Sequence, residues 1–134
     1  MSEFLDRARE VRNDPEVHYN CAQGVVVPFC NNLRMEENVG FNLAANFGQG
    51  MRMGATCGAI AGGLMVLGLY GVDDRATVNE YYKALRQHHD NMLACKDLLR
   101  VMAEKGQQRK EHCDGMVYEC VELVENILRE KGKL

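Results

Sequence analysis

The stretch MRMGATCGAIAGGLMVLGLYG, Met51 to Gly71, constrains the fold more than any other part of the chain. No charged residue follows Arg52 within it, and Gly54, Gly58, Gly62, Gly63 and Gly68 interrupt its apolar residues. A segment with no polar face to offer water must cross a membrane or lie inside a core. The GxxxG spacing of Gly54, Gly58 and Gly62 is the one used by packed transmembrane helices. A span, however, needs about 20 apolar residues, often with aromatic or basic anchors at both ends. This run sits at the lower limit, opening with Gly-Ala-Thr-Cys and closing on Gly71. The rest of the chain adds no second apolar run and no signal peptide in MSEFLDRARE. The stretch therefore reads as a fully buried helix, and no membrane span is expected.

Such a helix needs a core around it, and 134 residues suffice for one domain, 1–134, that folds without disulfide staples. A net charge of -3 from interspersed acids and bases leaves no electrostatic footprint for nucleic acid and no polybasic lipid patch. Phe4, Leu5, Ala8 and Val11 recur at helical spacing before the Asn13-Asp14-Pro15 turn signal. In NCAQGVVVPFCNNL, Val25, Val26 and Val27 suit a buried strand, but Asn20 before Cys-Ala-Gln marks a helix start. A helix kinked or split at Pro28 is the reading. Phe41, Leu43, Ala44 and Phe47 predict a short helix ending in the loop FGQGMRMG.

After Gly71, Val78, Tyr81, Tyr82, Leu85, His89 and Met92 share a helix face. A further turn starts near Cys95 and ends at Lys105-Gly106, and a last helix carries Val117, Cys120, Val121, Val124, Ile127 and Leu128 as its apolar stripe. The expected fold is all-α, a bundle of five or six helices around the Gly/Ala-rich one. That all-apolar central helix in so small a domain also raises a homodimer as an expectation.

Six cysteines without a secretory signal point to a reducing compartment, hence the cytoplasm, where cysteine patterns more often serve metal or redox chemistry than a disulfide scaffold. Four of them fall at expected first turns: Cys21 after Asn20, Cys57 after Thr56, Cys95 at Cys-Lys-Asp-Leu-Leu, and Cys113 opening the final helix. Unpaired amides and the helix dipole favour an anion there, so a thiol loses its proton more readily. Gly58, Ala59, Ala61 and Gly62 would let neighbouring backbones approach closely and converge these helix starts. Cys30 and Cys120 read as core filling. Cys113 and Cys120 lie about 10 Å apart along a helix, too far for a disulfide. There is no CxxC, so any site is assembled from distant segments. His18, His88, His89 and His112 could supply nitrogen ligands or proton relays, and His112, beside Cys113, is the one of interest.

At these residues the chain resembles the C_GCAxxG_C_C family, small proteins described as redox-active. The matching elements are Asn20-Cys21-Ala22-Gln23, the run Cys57-Gly58-Ala59-Ile60-Ala61-Gly62, Cys95 before Asp97-Leu98-Leu99, and Cys113, so the likeness covers about Asn20 to Leu128. It implies Cys21, Cys57, Cys95 and Cys113 as the family cysteines. Proline often follows the last of these in the family, whereas Asp114 stands here, a carboxylate that would disfavour a thiolate at Cys113.

Soft thiolates select iron–sulfur clusters, zinc or copper(I). The leading expectation is an iron–sulfur cluster on Cys21, Cys57, Cys95 and Cys113, serving electron transfer or redox sensing with an unidentified redox partner. The alternatives are metal-free thiol–disulfide chemistry, with Cys57 as the low-pKa nucleophile and a second cysteine resolving, and a closed structural zinc site. No GKS/T loop, nucleophile elbow, paired-His helix motif or basic stripe supports hydrolysis, phosphate binding or nucleic-acid binding.

Overall fold

The computed structural model describes residues 2–134, and among them the chain is all-α. Seven α-helices form: α1 (Glu3–Arg12), α2 (Cys21–Cys30), α3 (Glu37–Ala44), α4 (Gly58–Leu69), α5 (Arg75–His88), α6 (Cys95–Glu104) and α7 (Arg109–Glu130). The count exceeds the expected five or six, and α6, read only as a turn, runs for ten residues. Among the described residues no helix is long and apolar enough to cross a membrane.

Three helices, α1, α2 and α5, begin where a side chain accepts from the unpaired first amides. Ser2 Oγ accepts from the amides of Phe4 and Leu5, both at 3.1 Å, and its hydroxyl donates to Glu125 of α7, which ties the chain start to the last helix. Asn20 and Gln23 form a reciprocal capping box on α2. Asp74 caps α5 through the Thr77 amide at 3.0 Å. The expected stripes are buried: Phe4, Leu5, Ala8 and Val11 on α1, and Val117, Cys120, Val121, Val124, Ile127 and Leu128 on α7.

The valine run resolves as helix. It runs unbroken through Pro28 to Cys30, so α2 is not split. Proline stands in the last turn, where little helix remains beyond it to be disrupted. Helices α2, α4 and α7 form the centre, with α1 against α2 and α7, α3 against α2, and α6 against α7.

Glycine makes the α2–α4 contact close. A Cβ on Gly62 would lie 2.9 Å from Ala22 O and 3.1 Å from Val25 Cβ, and one on Gly58 would lie 2.7 Å from Phe47 O and 3.3 Å from Cys21 Cβ. The small residues after Cys57 thus do what their sequence suggests: they let one helix start reach another. The helix is not enclosed on every side, however. Gly58, Ala59, Ile60, Gly62, Gly63, Val66 and Leu67 are buried, whereas Ala61, Leu64 and Met65 are half-buried and Gly68 and Leu69 exposed.

Candidate functional site

Cys21 is the first residue of α2, and the capping box that starts the helix also fixes it in space. Asn20 Nδ2 donates to the carbonyls of Ala44 (3.3 Å) and Ala45 (3.1 Å), and Gln23 Nε2 donates to Phe41 O at 3.0 Å, which locks this helix start to the end of α3. Cys57 and Cys95 are held by backbone. The Cys57 amide donates to Leu93 O at 2.8 Å and the Cys95 amide to Ala55 O at 2.6 Å, flanking an antiparallel pairing of Thr56 with Ala94. Thr56 is therefore not the cap of α4; Cys57 itself occupies that position, and Cys95 is the first residue of α6.

Cys113 departs from the expectation that it opens a helix. The charged run Arg109-Lys110-Glu111-His112 continues the helix upstream, so α7 begins at Arg109 and Cys113 falls in its second turn. Even so, all four cysteines line one cavity of about 30 Å³, together with Gln49, Arg109 and His112. Cys30 and Cys120 are buried elsewhere, Cys30 donating to Val26 O at 3.6 Å. All six cysteines are free.

The loop between α3 and α4, which reaches the cavity at Gln49, has an unusual backbone. Gln49 (φ 54°), Gly50 (φ 60°), Met51 (φ 58°) and Arg52 (φ 60°) are consecutive and left-handed, and the Ala55 amide closes the turn on Gly50 O at 2.9 Å. L-residues enter this region at about 1–2 kcal/mol each, usually one at a time. Only Gly50 is exempt from that cost.

The thiols differ sharply in acidity. Cys113 is lowered to about 6, first because the Cys21 thiol acts as donor to it; burial opposes this, and the guanidinium groups of Arg12 and Arg109 add to the lowering. Cys21, as that donor and as a buried group, is correspondingly raised. Burial pushes Cys57 up to about 11, and the amides of Ile60 and Ala59 at its helix start only partly oppose it. Burial and the neighbouring Cys113 raise Cys95 as well. The reading of Cys57 as a low-pKa nucleophile is thus overturned: desolvation outweighs the helix-start amides.

Arg12 explains why Asp114 does not spoil Cys113. Its Nε donates to Asp114 Oδ1 at 2.8 Å and its Nη1 to Tyr19 O at 2.7 Å, while Lys110 Nζ reaches Asp114 Oδ2 at 2.7 Å. The carboxylate is matched by two cations. Arg12 stands far from Cys113 in the sequence, so nothing in the pattern marks it; Gln49 lies in the loop FGQGMRMG, whose glycines were its one signal; Arg109, four residues before Cys113, was legible only once α7 was known to start there.

His112 stands between the thiol cavity and a second cavity of about 330 Å³. The second cavity holds Glu119, whose carboxylate meets His88 Nδ1 at 3.1 Å and His89 Nε2 at 2.9 Å. His88 is exposed and His89 half-buried, as their sequence positions suggest. Among the described residues no group of three or more His, Cys, Asp or Glu side chains is placed to hold one metal ion.

A family model described as "Putative redox-active protein (C_GCAxxG_C_C)" matches residues 19–127. Comparison with curated proteins and with solved structures finds no match.

Proposed function

Because the chain belongs to the C_GCAxxG_C_C family of redox-active proteins, we propose that its redox centre is the four-thiol cavity, with Cys21, Cys57, Cys95 and Cys113 holding an iron–sulfur cluster for electron transfer or redox sensing. One observation carries this reading: cysteines from four separate segments line the same cavity. A thiol–disulfide site would need two of them.

Cys21 stands beside Cys113, and Cys57 and Cys95 flank the backbone pairing of Thr56 with Ala94. A closed zinc site would instead take all four thiolates on one tetrahedral ion and would carry no electron transfer. Arg12 and Arg109 supply positive charge against Cys113, and the amides of Ile60 and Ala59 at the start of α4 face Cys57. Once bound, the cluster would supply one-electron transfer. A reducing cytoplasm is the compartment in which six free thiols are kept for such a role.

Anaerobic reconstitution with iron and sulfide is the test. Broad visible absorbance that bleaches with dithionite, with stoichiometric iron lost in the Cys57→Ser protein, is expected. A colourless protein without bound iron would sink the reading.

The contact between Cys21 and Cys113 favours a second reading, a metal-free dithiol. The Cys113 thiolate would attack a partner disulfide and release one partner thiolate; Cys21 would then displace the second and leave a Cys21–Cys113 disulfide. Two electrons pass to the partner; the Cys21 proton goes to one of its thiolates, and the other takes from water the proton that Cys113 lost on ionising. Mass mapping after mild oxidation would show that bridge. Its absence, with both thiols still alkylatable, would exclude the dithiol.

A further inference from the structure

Beside the thiol cavity lies a much larger cleft of about 950 Å³, within the range of small-molecule sites. Cys21, Gln49, Arg109 and Cys113 line both spaces, so these four residues form the neck between solvent and the thiols. The Cys21–Cys113 edge faces this entrance. Cys57, 6% exposed, and Cys95 line only the inner cavity.

The wall of the cleft is cationic although the chain as a whole is acidic. Arg12, Arg52, Arg109 and Lys110 line it, against the carboxylates of Asp14 and Glu16. Arg12 and Lys110 are matched by Asp114, and Asp14 is engaged by the amides of Glu16 and Val17 at 2.8 and 2.9 Å. Among the described residues, Arg52 and Arg109 form no ion pair with a carboxylate. One sits at the neck and the other on the left-handed turn above it. Tyr19 and Phe41, which meet edge to face at 5.3 Å, add an apolar part to the lining. Guanidinium forks of this kind match carboxylates with two parallel hydrogen bonds.

We propose that this cleft is the recognition site for a small organic carboxylate, held by Arg52 and Arg109 with its other end directed at the Cys21–Cys113 edge. The proposal deepens the reading of the four-thiol cavity as the redox centre, because it names the class of partner that reaches it.

The test uses reduced, metal-free protein and two alkylating probes that differ in charge, iodoacetate and iodoacetamide. In each the Cys113 Sγ–C bond forms as the C–I bond breaks, and iodide leaves with the electron pair. Peptide mass mapping reads the rate at Cys113 by itself. The ratio of the iodoacetate rate to the iodoacetamide rate should exceed that of free N-acetylcysteine by about tenfold, the low end of electrostatic steering. It should fall to the free-thiol value in the Arg52→Glu, Arg109→Gln protein.

Millimolar succinate should slow iodoacetamide at Cys113, and inorganic phosphate should do so far less. A free-thiol ratio in the unaltered protein would overturn the proposal, as would a high ratio that survives both substitutions. Equal protection by phosphate would overturn the carboxylate class. Arg52→Gln, on an exposed side chain, serves as a second variant should the double one lose helix by circular dichroism, and an unchanged ratio there removes Arg52 from the site. No iron is present in these measurements, so they can fail while reconstitution succeeds, or the reverse.

Discussion

Cys113 owes its acidity to side chains brought from elsewhere in the fold. The order expected for thiol reactivity is therefore the reverse of one based on helix starts alone. Alkylation of Cys113 should rise through a midpoint of about 6, whereas Cys57 should follow one near 11, measured site by site across pH in the metal-free protein. Arg12 joins three parts of this local network: Asp114, Tyr19 and, through its charge, Cys113. Its side chain is 8% exposed, so Arg12→Met should leave Asp114 short of a partner and cost about 3 kcal/mol in urea unfolding. The same change should move the Cys113 midpoint upward. The four cysteines that line the cavity were singled out by their expected helix-start positions and by the family resemblance, but which one ionises was not legible. Acidity depends on desolvation and on charges distant in sequence, and neither leaves a periodic mark.

Packing between α2 and α4 decides whether the helix starts meet. Gly62→Ala would place a methyl group 2.9 Å from Ala22 O, and because that contact is backbone, relief requires the helices to part. A loss of about 1–3 kcal/mol is expected. Gly63→Ala should cost at least as much, since its Cβ would fall on the Tyr81 hydroxyl that donates to Ile60 O at 2.8 Å. Urea midpoints compared with Gly68→Ala, where nothing lies within 4 Å, provide the reference. The left-handed turn gives a change of opposite sign: Met51→Gly should stabilise the protein by about 1 kcal/mol by relieving a non-glycine residue at φ 58°. At this scale the sequence was informative wherever periodicity or capping acts. The α1 and α7 stripes and the Asn20 start all stand as read. It was silent on the Thr56–Ala94 pairing, because a two-residue bridge has no period, and it placed the start of α7 at Cys113 rather than Arg109, because the polar run Arg-Lys-Glu-His shows no apolar stripe.

Across the whole molecule, long-range polar ties complement the apolar centre: Ser2 with Glu125, Arg7 with Glu37, and Glu119 with His88 and His89. Burial alone would raise the Glu119 carboxyl, but the hydrogen bonds from His89 and His88 outweigh it, and the group is lowered from 4.5. A carboxyl lowered by folding contributes stability that is complete above its unfolded value and is lost as pH falls through the lowered one. The stability difference between the unaltered protein and Glu119→Gln should therefore shrink as pH falls below about 4.5. Urea titrations at a series of pH values would check it. An all-α fold follows from composition and periodicity, whereas the extent to which α4 reaches the surface depends on how seven helices share one centre. That arrangement also sets an order in time. The four site cysteines lie in α2, at the start of α4, at the start of α6 and in α7, and α7 is both the last helix in the chain and a partner of α1, α2, α4 and α6. The cavity is therefore completed last: until α7 packs against the helices before it, Cys21, Cys57 and Cys95 lack both Cys113 and one wall of the space they share.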